Sequence, residues 1–574
     1  MDSSRILPVV IVLAAYITHL WMKSHNPLCL DHFLAVLLIA PLVLVCISVL
    51  TTTGHLDFHC FINSAPAAFV VFYSALVVFV AAYRLSPYHP LAKYPGPKIM
   101  KITKLWGTWI AYKGKTHEYL KKLHDQYGPT IRIGPNELST IEKEFISQIL
   151  GNQGMPKGTL WDGRRFSKSE NEYDSLVSLR DSVLHAKLRK PWNQAFSAGP
   201  LEDYENLLLG RVTQLSRHLE GLAKAGGRVD ITNWIDCFSF DYMGDLAFGG
   251  AFRLMEKGRA EEVRTMQDGV YLISITQHLP WIARFLHSTP IINSSMQRFI
   301  QFGVEQGVKR ANATINHKDL FYHISESSES TESDLSIIIS NVLLAIVAGA
   351  DTTATVLSVA IYFLLKTPGA YKRVQNEVDE AFDEQALPNM LSSKVSRPHS
   401  DILGRLPYLN AVINESLRLF PPVATGLQRA PDKNTVGKLL KGITVADIYL
   451  PQGNAISVPP YVIHRDPRYF SPDPERFVPE RWLSPSAGGT AGGYILARDA
   501  FIPFSYGPQN CVGRPLALME LRYVLSSLVR NFDMEFDTSS FDPDLWEEQF
   551  KDRFLLSKGK MDLLVQVREK TKKN

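Results

Sequence analysis

The residues with the clearest chemical potential surround Cys511, in the stretch Phe504-Ser-Tyr-Gly507-Pro-Gln-Asn-Cys511-Val-Gly513. A helical pattern begins immediately afterwards, so the thiol would face unpaired backbone N–H groups and the positive end of a helix dipole, which favour the thiolate. A thiolate is an axial ligand for haem iron, and Gly507 and Gly513 would let a flat ligand approach the backbone. The alternative is a buried structural cysteine beside a turn, which is the commoner fate of a lone cysteine.

A second group of chemical interest lies within the long apolar segment 335–365, where Asp351 stands next to Thr352. As a helix this segment would be about 46 Å long, well beyond the ~30 Å hydrocarbon core of a bilayer. A charge is costly in lipid, so the segment is predicted to be a helix of the protein core, and a buried acid indicates a functional role. The alternative is that Gly349 and the threonines only fit close helix packing, with Asp351 in a structural salt bridge.

Two further pairs of residues stand at helical spacing. Glu415 and Arg418 lie three residues apart on an amphipathic pattern that ends at a Pro-Pro pair. Alone, such a pair is usually a solvated contact worth well under ~1 kcal/mol. His185 and Arg189 lie four residues apart on a basic helix face, which is more often only solvated.

Taken together, these motifs resemble the cytochrome P450 family of haem-thiolate monooxygenases. The resemblance rests on the Phe-x-x-Gly-x-x-x-Cys-x-Gly loop, the segment Ala-Gly-Ala-Asp-Thr-Thr that ends at Thr353, the Glu-x-x-Arg motif and a Pro-Glu-Arg segment ending at Arg481. The motifs occur in the family's order, and the resemblance spans roughly residues 94–567. It implies a mainly α fold, a helical body with small β-sheets, one of them built around residues 130–133 and 448–458.

The resemblance assigns roles to individual side chains. Cys511 would be the axial thiolate ligand of haem b, Asp351 would relay protons, and Thr352 would orient dioxygen and a water molecule. The remaining cofactor contacts would come from loop and helix residues, namely His185, Arg189, Arg429, Phe504, Gly507, Gln509 and Gly513.

One of these positions departs from the family pattern. Where the family usually has an arginine or histidine that reaches a haem propionate, this chain has Gln509. A glutamine donates a hydrogen bond but supplies no charge, so His185, Arg189 and Arg429 are expected to provide the cations.

The Glu-x-x-Arg motif would have a structural role. In the family, Glu415 and Arg418 would join Arg481 in a multiply hydrogen-bonded cluster suited to the planar guanidinium group. The cluster would lock the fold that presents Cys511, without taking part in the chemistry. Substrate contacts are expected from a mostly apolar set of residues: Ala348, Val423, Ala424, Leu427 and Phe554.

The reaction implied by the resemblance is insertion of one oxygen atom from O2 into an apolar small molecule, by analogy with microsomal fungal members a step in secondary-metabolite biosynthesis. Electrons would come from NADPH through cytochrome P450 reductase, with cytochrome b5 as a second candidate donor; NADPH and flavins would bind only the reductase. Two alternatives stay open. One is a haem-thiolate enzyme that works without a reductase, by peroxide-driven or rearrangement chemistry. The other is a non-enzymatic haem-binding membrane protein.

The N-terminal region predicts a membrane anchor. Three apolar runs, at about 6–22, 33–49 and 67–83, each have about the length needed to cross a bilayer, so residues 1–83 would hold up to three transmembrane helices. A proline-rich connector at 84–99 would join this anchor to a haem-thiolate domain at 100–574. Basic residues cluster after the third run, which predicts the endoplasmic reticulum membrane with the catalytic domain facing the cytosol.

Composition excludes several other classes of protein. The chain has 574 residues and a formal net charge of +4, too small to argue for nucleic-acid binding. It has five cysteines, three of them within the first 60 residues, and no Cys-x-x-Cys pair. Neither a disulfide framework nor a zinc site is indicated, and the catalytic part is expected in a reducing compartment.

Overall fold

The computed structural model of the chain is mainly helical, with five small β-sheets among the described residues. It describes residues 3–25, 30–55, 57–164, 175–250, 252–259, 261–280, 294–313, 318–326, 332–382, 399–431, 442–445, 447–484 and 493–569. The predicted fold class, a helical body with small sheets, is confirmed.

The α-helices make up most of the described residues. Aspartates at Asp181 and Asp230 cap two of them by accepting N–H groups of the first turn. The described helices are Ser3–His25, Leu30–Thr53, Phe58–Leu85, Lys98–Ile102, Leu105–Lys113, Thr116–Tyr127, Ile146–Leu150, Ser182–Ala195, Ala198–Lys224, Ile231–Phe248, Leu254–Lys257, Glu261–Thr276, Ser294–Asn312, Leu320–Glu326, Glu332–Lys366, Ala370–Ala381, His399–Gly404, Pro407–Leu419, Pro460–Ile463 and Arg514–Asn531. Short 3-10 turns lie at Lys143–Phe145, Thr159–Arg164, Pro479–Trp482, Arg498–Ala500, Gly507–Gln509 and Glu547–Gln549.

The strands form two three-stranded sheets and three two-stranded ones. They are β1 Thr130–Gly134, β2 Glu137–Thr140, β3 Arg228–Asp230, β4 Gly442–Val445, β5 Ile448–Pro451, β6 Ala455–Ser457, β7 Phe470–Ser471, β8 Ile495–Leu496, β9 Phe532–Phe536, β10 Lys551–Arg553, β11 Leu555–Ser557 and β12 Asp562–Val567. The three-stranded sheets have the orders β1-β2-β6 and β3-β12-β9, and the pairs are β4-β5, β7-β8 and β10-β11.

The sheet expected around residues 130–133 and 448–458 is only partly right. Strand β1 pairs antiparallel with β2, which then pairs in parallel with β6. Strand β5, which lies in the same expected stretch, instead forms a separate hairpin with β4. The turn at Gly453 divides the stretch into two strands, so its two halves join different sheets.

The long apolar segment forms the central helix, Glu332–Lys366, and runs through the main hydrophobic core. By length and composition alone this helix could cross a membrane, but most of its apolar stretch is buried inside the protein. The prediction of a core helix is therefore confirmed. Gly349 allows close packing there, because an added Cβ would lie 2.7 Å from Met243 Sδ on the neighbouring helix.

The three apolar runs near the N-terminus all form helices, and these pack on one another around Ile11, Val45 and Phe72. Apolar side chains such as Val9, Val70 and Val77 point outwards and are more than half exposed. Of the three helices, Phe58–Leu85 has the length and hydropathy of a membrane span, while the other two contain shorter apolar stretches.

A fully buried ion cluster lies on the helix Pro407–Leu419. Arg418 Nε and Nη2 donate to the two carboxylate oxygens of Glu415, both at 2.8 Å, and Arg481 Nε donates to Glu415 Oε1 at 3.0 Å. Trp482 Nε1 adds a further bond to Glu415 at 2.8 Å. All three charged side chains are 0% exposed. Burial alone would raise the pKa of Glu415, but the Arg418 guanidinium, followed by Arg481, outweighs it and the pKa is lowered.

Replacing the carboxylate of this cluster tests its contribution to stability. We expect Glu415→Gln to lower the free energy of unfolding by about 3–5 kcal/mol, because two buried guanidinium groups lose their counter-charge. The matched control is Glu480→Gln, which breaks a partly exposed pair with Arg373 at 2.8 Å and should cost about 0–1 kcal/mol. Denaturant unfolding of the two variants measures both values, and equal losses would contradict this assignment.

Candidate functional site

The loop that carries Cys511 is held in one conformation by its backbone. The Cys511 N–H donates to Phe504 O at 2.9 Å, and the following helix begins at Arg514. Gly507 has φ +73°, and a Cβ added there would lie 2.1 Å from Leu150 O, so no other residue fits. The loop is thereby pressed against the helix Ile146–Leu150.

The Cys511 thiol is solvent-accessible, yet enough protein surrounds the sulfur for burial to raise its pKa. The N–H groups of Gly513 and Arg514 and the charge of Arg189 lower the pKa, as a helix N-terminus should, but burial outweighs them. The helix N-terminus thus favours the thiolate in the expected direction, but in the protein alone burial outweighs it. Coordination to a metal ion would deprotonate the thiol outright.

Arg429 and Trp192 supply buried donors that no protein group satisfies. Arg429 is 1% exposed, and its Nη1 donates to Gln509 Oε1 in a short hydrogen bond. Its Nε and Nη2 and the indole Nε1 of Trp192 have no hydrogen-bond partner. Burial lowers the pKa of Arg429 to about 10, so the guanidinium stays charged at neutral pH. Buried donors of this kind are nearly always paired, and a carboxylate is the ligand that fits them.

The other expected cations have different partners. Arg189 donates from Nη1 and Nη2 to Asn510, at 2.8 and 3.0 Å, and from Nε to Asn193 at 2.9 Å. Arg189 therefore stabilises the loop next to Cys511.

The pKa of His185 is lowered to about 4 by burial and then by the charges of Lys157, Arg189 and Arg429. In the protein alone His185 is therefore neutral at pH 7. A cationic His185 beside a bound carboxylate stays a prediction.

Sequence reasoning missed Lys157, which a β-bridge places beside Arg429. Its Nζ donates to the carbonyls of Leu176 and Val177, at 3.1 and 2.7 Å, and burial lowers its pKa to about 6. No motif marks this lysine, because only the pairing with Arg429 brings it to the site. The unpaired donors of Arg429 and Trp192 thus fit the carboxylates expected of a haem group, and Cys511 is the residue that would hold its iron.

On the central helix, Thr352 and Asp351 have different surroundings. Thr352 Oγ1 donates to Ala348 O at 2.7 Å and remains half-buried. Asp351 is buried, and its Oδ1 accepts a bond from Gln267 Nε2 at 3.1 Å. Burial raises the pKa of Asp351, against the lowering effect of Lys558.

Lys558 holds a second acid next to this one. The Lys558 Nζ lies 2.6 Å from Asp236 Oδ1. Burial raises the pKa of Asp236 to about 6, and the negative charge of Asp351 contributes to raising it. Gln267, Lys558 and Asp236 come from three distant parts of the chain, so no local pattern could have identified them.

The central helix is bonded directly to the helix that follows Cys511. Thr353 Oγ1 donates to Glu520 Oε1 at 2.9 Å, and Ser239 Oγ donates to the same oxygen, also at 2.9 Å. Burial raises the pKa of Glu520 to about 8, so this acid is mostly protonated at neutral pH. The bond fixes the cysteine helix against the residue after Thr352.

Of the expected substrate residues, one borders a well-defined cavity among the described residues. Phe554 lines a space of about 860 Å³, adjoining solvent included. Ala424 is fully buried, Val423 and Leu427 are half-buried and Ala348 is exposed, and none of these four borders that space. The cavity lies instead between the helix Leu105–Lys113, the turn Thr159–Arg164 and strand β10.

Comparison with known proteins gives a consistent result. The sequence model of the cytochrome P450 family matches residues 95–565. Cytochrome P450 67 of Uromyces fabae is 32% identical over 84% of this chain and 86% of its own length. Tryprostatin B 6-hydroxylase of Aspergillus fumigatus is 30% identical over 83% and 81%, and cytochrome P450 monooxygenase FCK2 of Fusarium pseudograminearum is 32% identical over 80% and 79%. With a cysteine loop, a bonded central helix and unpaired donors for carboxylates, this chain belongs to the cytochrome P450 family.

Proposed function

We propose that this P450 monooxygenase is a membrane-bound enzyme that inserts one oxygen atom from O2 into a largely apolar small molecule. The observation that carries the proposal is the set of unpaired buried donors on Arg429 and Trp192 beside the Cys511 loop. Haem b, when bound through Cys511, supplies the iron at which dioxygen is activated. Fungal relatives named as a hydroxylase and as monooxygenases support a place in secondary metabolism.

The protein's own part in the chemistry is to deliver protons to the distal side of the cofactor. The Thr352 hydroxyl is half-buried and donates to a carbonyl of its own helix, so it can accept a hydrogen bond from a water molecule. Asp351 follows as the acid that exchanges protons, held by Gln267. Its raised pKa brings it closer to the working pH, which suits a relay group.

Membrane attachment is part of the same proposal. The helices at residues 3–25, 30–53 and 58–85 expose long apolar faces. Arg84 lies in the last turn of the third helix, and Lys93 follows that helix. We propose that residues 1–83 anchor the enzyme in the endoplasmic reticulum membrane, with 84–99 as a connector to a cytosolic catalytic domain at 100–574. NADPH-cytochrome P450 reductase would then donate electrons from the same membrane, with cytochrome b5 as a second donor.

The proposed reaction is tested with the full chain in membranes that also contain a fungal reductase. We expect extracts of fungal metabolites to yield a product that is 2 mass units heavier under ¹⁸O2 than under ¹⁶O2, and only when NADPH is added. Membranes containing the reductase alone provide the control, and mass spectrometry is the readout. Turnover that needs peroxide but not NADPH, or a product without label from O2, would contradict the proposal.

The role of Asp351 predicts a pH effect with a definite sign. Lys558 lowers the pKa of Asp351, so Lys558→Met should raise that pKa further and keep the acid protonated to higher pH. The part of the pH profile of NADPH-driven turnover that reports the ionisation of Asp351 (the pH-dependent limb) should therefore move to higher pH. Lys560→Met, at an exposed lysine paired with Asp562, is the matched control and should leave the limb in place.

Asp236 could produce the same shift, since Lys558 also lowers its pKa. The comparison is therefore repeated with Asp236→Asn as the background. A shift that persists there assigns the limb to Asp351, whereas a shift that disappears, or one towards lower pH, contradicts the relay.

A further inference from the structure

Arg164, at the end of the turn Thr159–Arg164, is a charged side chain without a counter-ion. Its guanidinium lies between two aromatic rings, with Cζ 4.3 Å from the ring centroid of Trp161 and 4.1 Å from that of Phe554. Nε and Nη2 both donate to Gln277 Oε1, the first at 2.7 Å. Nη1 is buried and has no hydrogen-bond partner, and no ion pair to Arg164 exists within the described ranges.

The energetic cost of this arrangement is considerable. Burial lowers the pKa of Arg164 to about 9, against a raising effect of Asp552, so the side chain is still mostly charged at neutral pH. A buried donor left unpaired destabilises the folded protein, and it does so more strongly on a charged group. Gln277 and the two rings fix the guanidinium in place, so Nη1 cannot turn towards solvent without breaking these contacts.

Asp552 is the complementary group nearby. It is 5% exposed, and its Oδ1 accepts the Phe554 N–H at 3.1 Å. Oδ2 is buried without a hydrogen bond of acceptable geometry, although the Thr425 hydroxyl is close enough to lower the pKa of this acid. Burial nevertheless raises the pKa of Asp552 to about 6.

Phe554 connects the two groups and is itself strained. Its ring stacks on Arg164, its N–H bonds to Asp552, and its φ is +76°, which a bulky side chain rarely adopts. Backbone strain of this kind is unfavourable and is concentrated at binding and active sites. The segment Asp552–Phe554 therefore has the features of a binding site.

Arg164, Asp552 and Phe554 all border the cavity of about 860 Å³. Another charged pair on its wall is already satisfied, since Lys104 Nζ lies 2.6 Å from Glu137 Oε1. Much of the remaining wall is apolar, including Met100, Ile110, Ala111, Leu120, Ile133 and Leu160. A ligand in this cavity would thus meet an apolar surface with one unpaired donor and one unpaired acceptor.

We propose that Arg164 and Asp552 anchor the non-reacting end of the substrate, and that this end is a neutral carbonyl group with a neighbouring N–H, of which a secondary amide is the simplest case. Arg164 Nη1 would donate to the carbonyl oxygen, and Asp552 Oδ2 would accept the N–H. A free carboxylate would be repelled by the Asp552 charge, and a hydrocarbon would leave both groups unpaired. The inference rests on the proposed function, because it specifies the substrate class of that enzyme.

The test uses calorimetric titration of the purified full-chain holoprotein with three probes of one shape. These are N-methyl-2-naphthamide, its ester analogue methyl 2-naphthoate, and 2-naphthoate. In the wild type we expect the amide to bind most tightly and the acid anion least. Arg164→Met keeps the length of the side chain but removes its donors, and should weaken binding of both amide and ester by about 10–100-fold.

The second variant separates the two halves of the anchor. Asp552→Asn should weaken binding of the amide while leaving binding of the ester unchanged. It should improve binding of 2-naphthoate, because the negative charge of Asp552 that repels this anion is removed. Ser274→Ala is the matched control, since Ser274 lines the same cavity but its hydroxyl already donates to Tyr271 O at 2.7 Å. It should leave all three affinities unchanged.

The proposed anchor is contradicted if the wild-type protein does not bind the amide, or binds it no better than the ester. It is also contradicted if Arg164→Met leaves the affinities unchanged. Each variant is first checked for the thiolate-type spectrum of its reduced carbon monoxide complex. If the wild type lacks that spectrum, the proposed function is contradicted. If the spectrum is intact but amide binding does not follow the expected pattern, the anchor alone is contradicted.

Discussion

The presentation of Cys511 depends on the buried cluster of Glu415, Arg418 and Arg481. Arg418 Nη1 donates to His464 O at 2.8 Å, and His464 Nε2 accepts the N–H of Ile502 at 2.9 Å. Burial lowers the pKa of His464 well below its usual value, so the ring is neutral and Nε2 is free to accept. Two residues beyond Ile502, Phe504 O accepts the Cys511 N–H. Hydrogen bonds through His464, followed by the backbone from Ile502 to Phe504, thus join the cluster to the cysteine loop.

Buried charged side chains are fully paired in one part of the protein and only partly hydrogen-bonded in others. Around Glu415 every charged group has a partner of opposite sign, as a structural cluster requires. Arg429 and Arg164, in contrast, keep buried N–H groups that no described residue satisfies. Arg530 and Arg553 also carry such a group, so an unpaired donor alone does not identify a site. At Arg429 the donors lie beside the loop of Cys511, and at Arg164 the donor lies at a cavity, which are positions where a ligand could complete them.

Much of this organisation could be predicted from local sequence. The spacing of Glu415 and Arg418 places both on one helix face, and the apolar length of the central helix argues for a core position. What failed depends on contacts between distant segments or on burial. The clearest example is the split of residues 448–458 between two sheets. Burial, which no local pattern shows, also lowers the pKa of His185 and raises that of Cys511. Lys157, Gln267, Lys558 and Arg164 have no motif around them, and only the fold shows which groups they contact.

The central claim is that the Cys511 sulfur ligates haem iron, and the spectrum of the reduced protein with carbon monoxide tests it most directly. The wild type should show the strongly red-shifted Soret band of a thiolate ligand, and Cys60→Ser, at an exposed cysteine of the N-terminal helices, should show the same band. Cys511→Ser should lose it. An unshifted band in the wild type, or a red-shifted band that survives replacement of Cys511, would contradict this account.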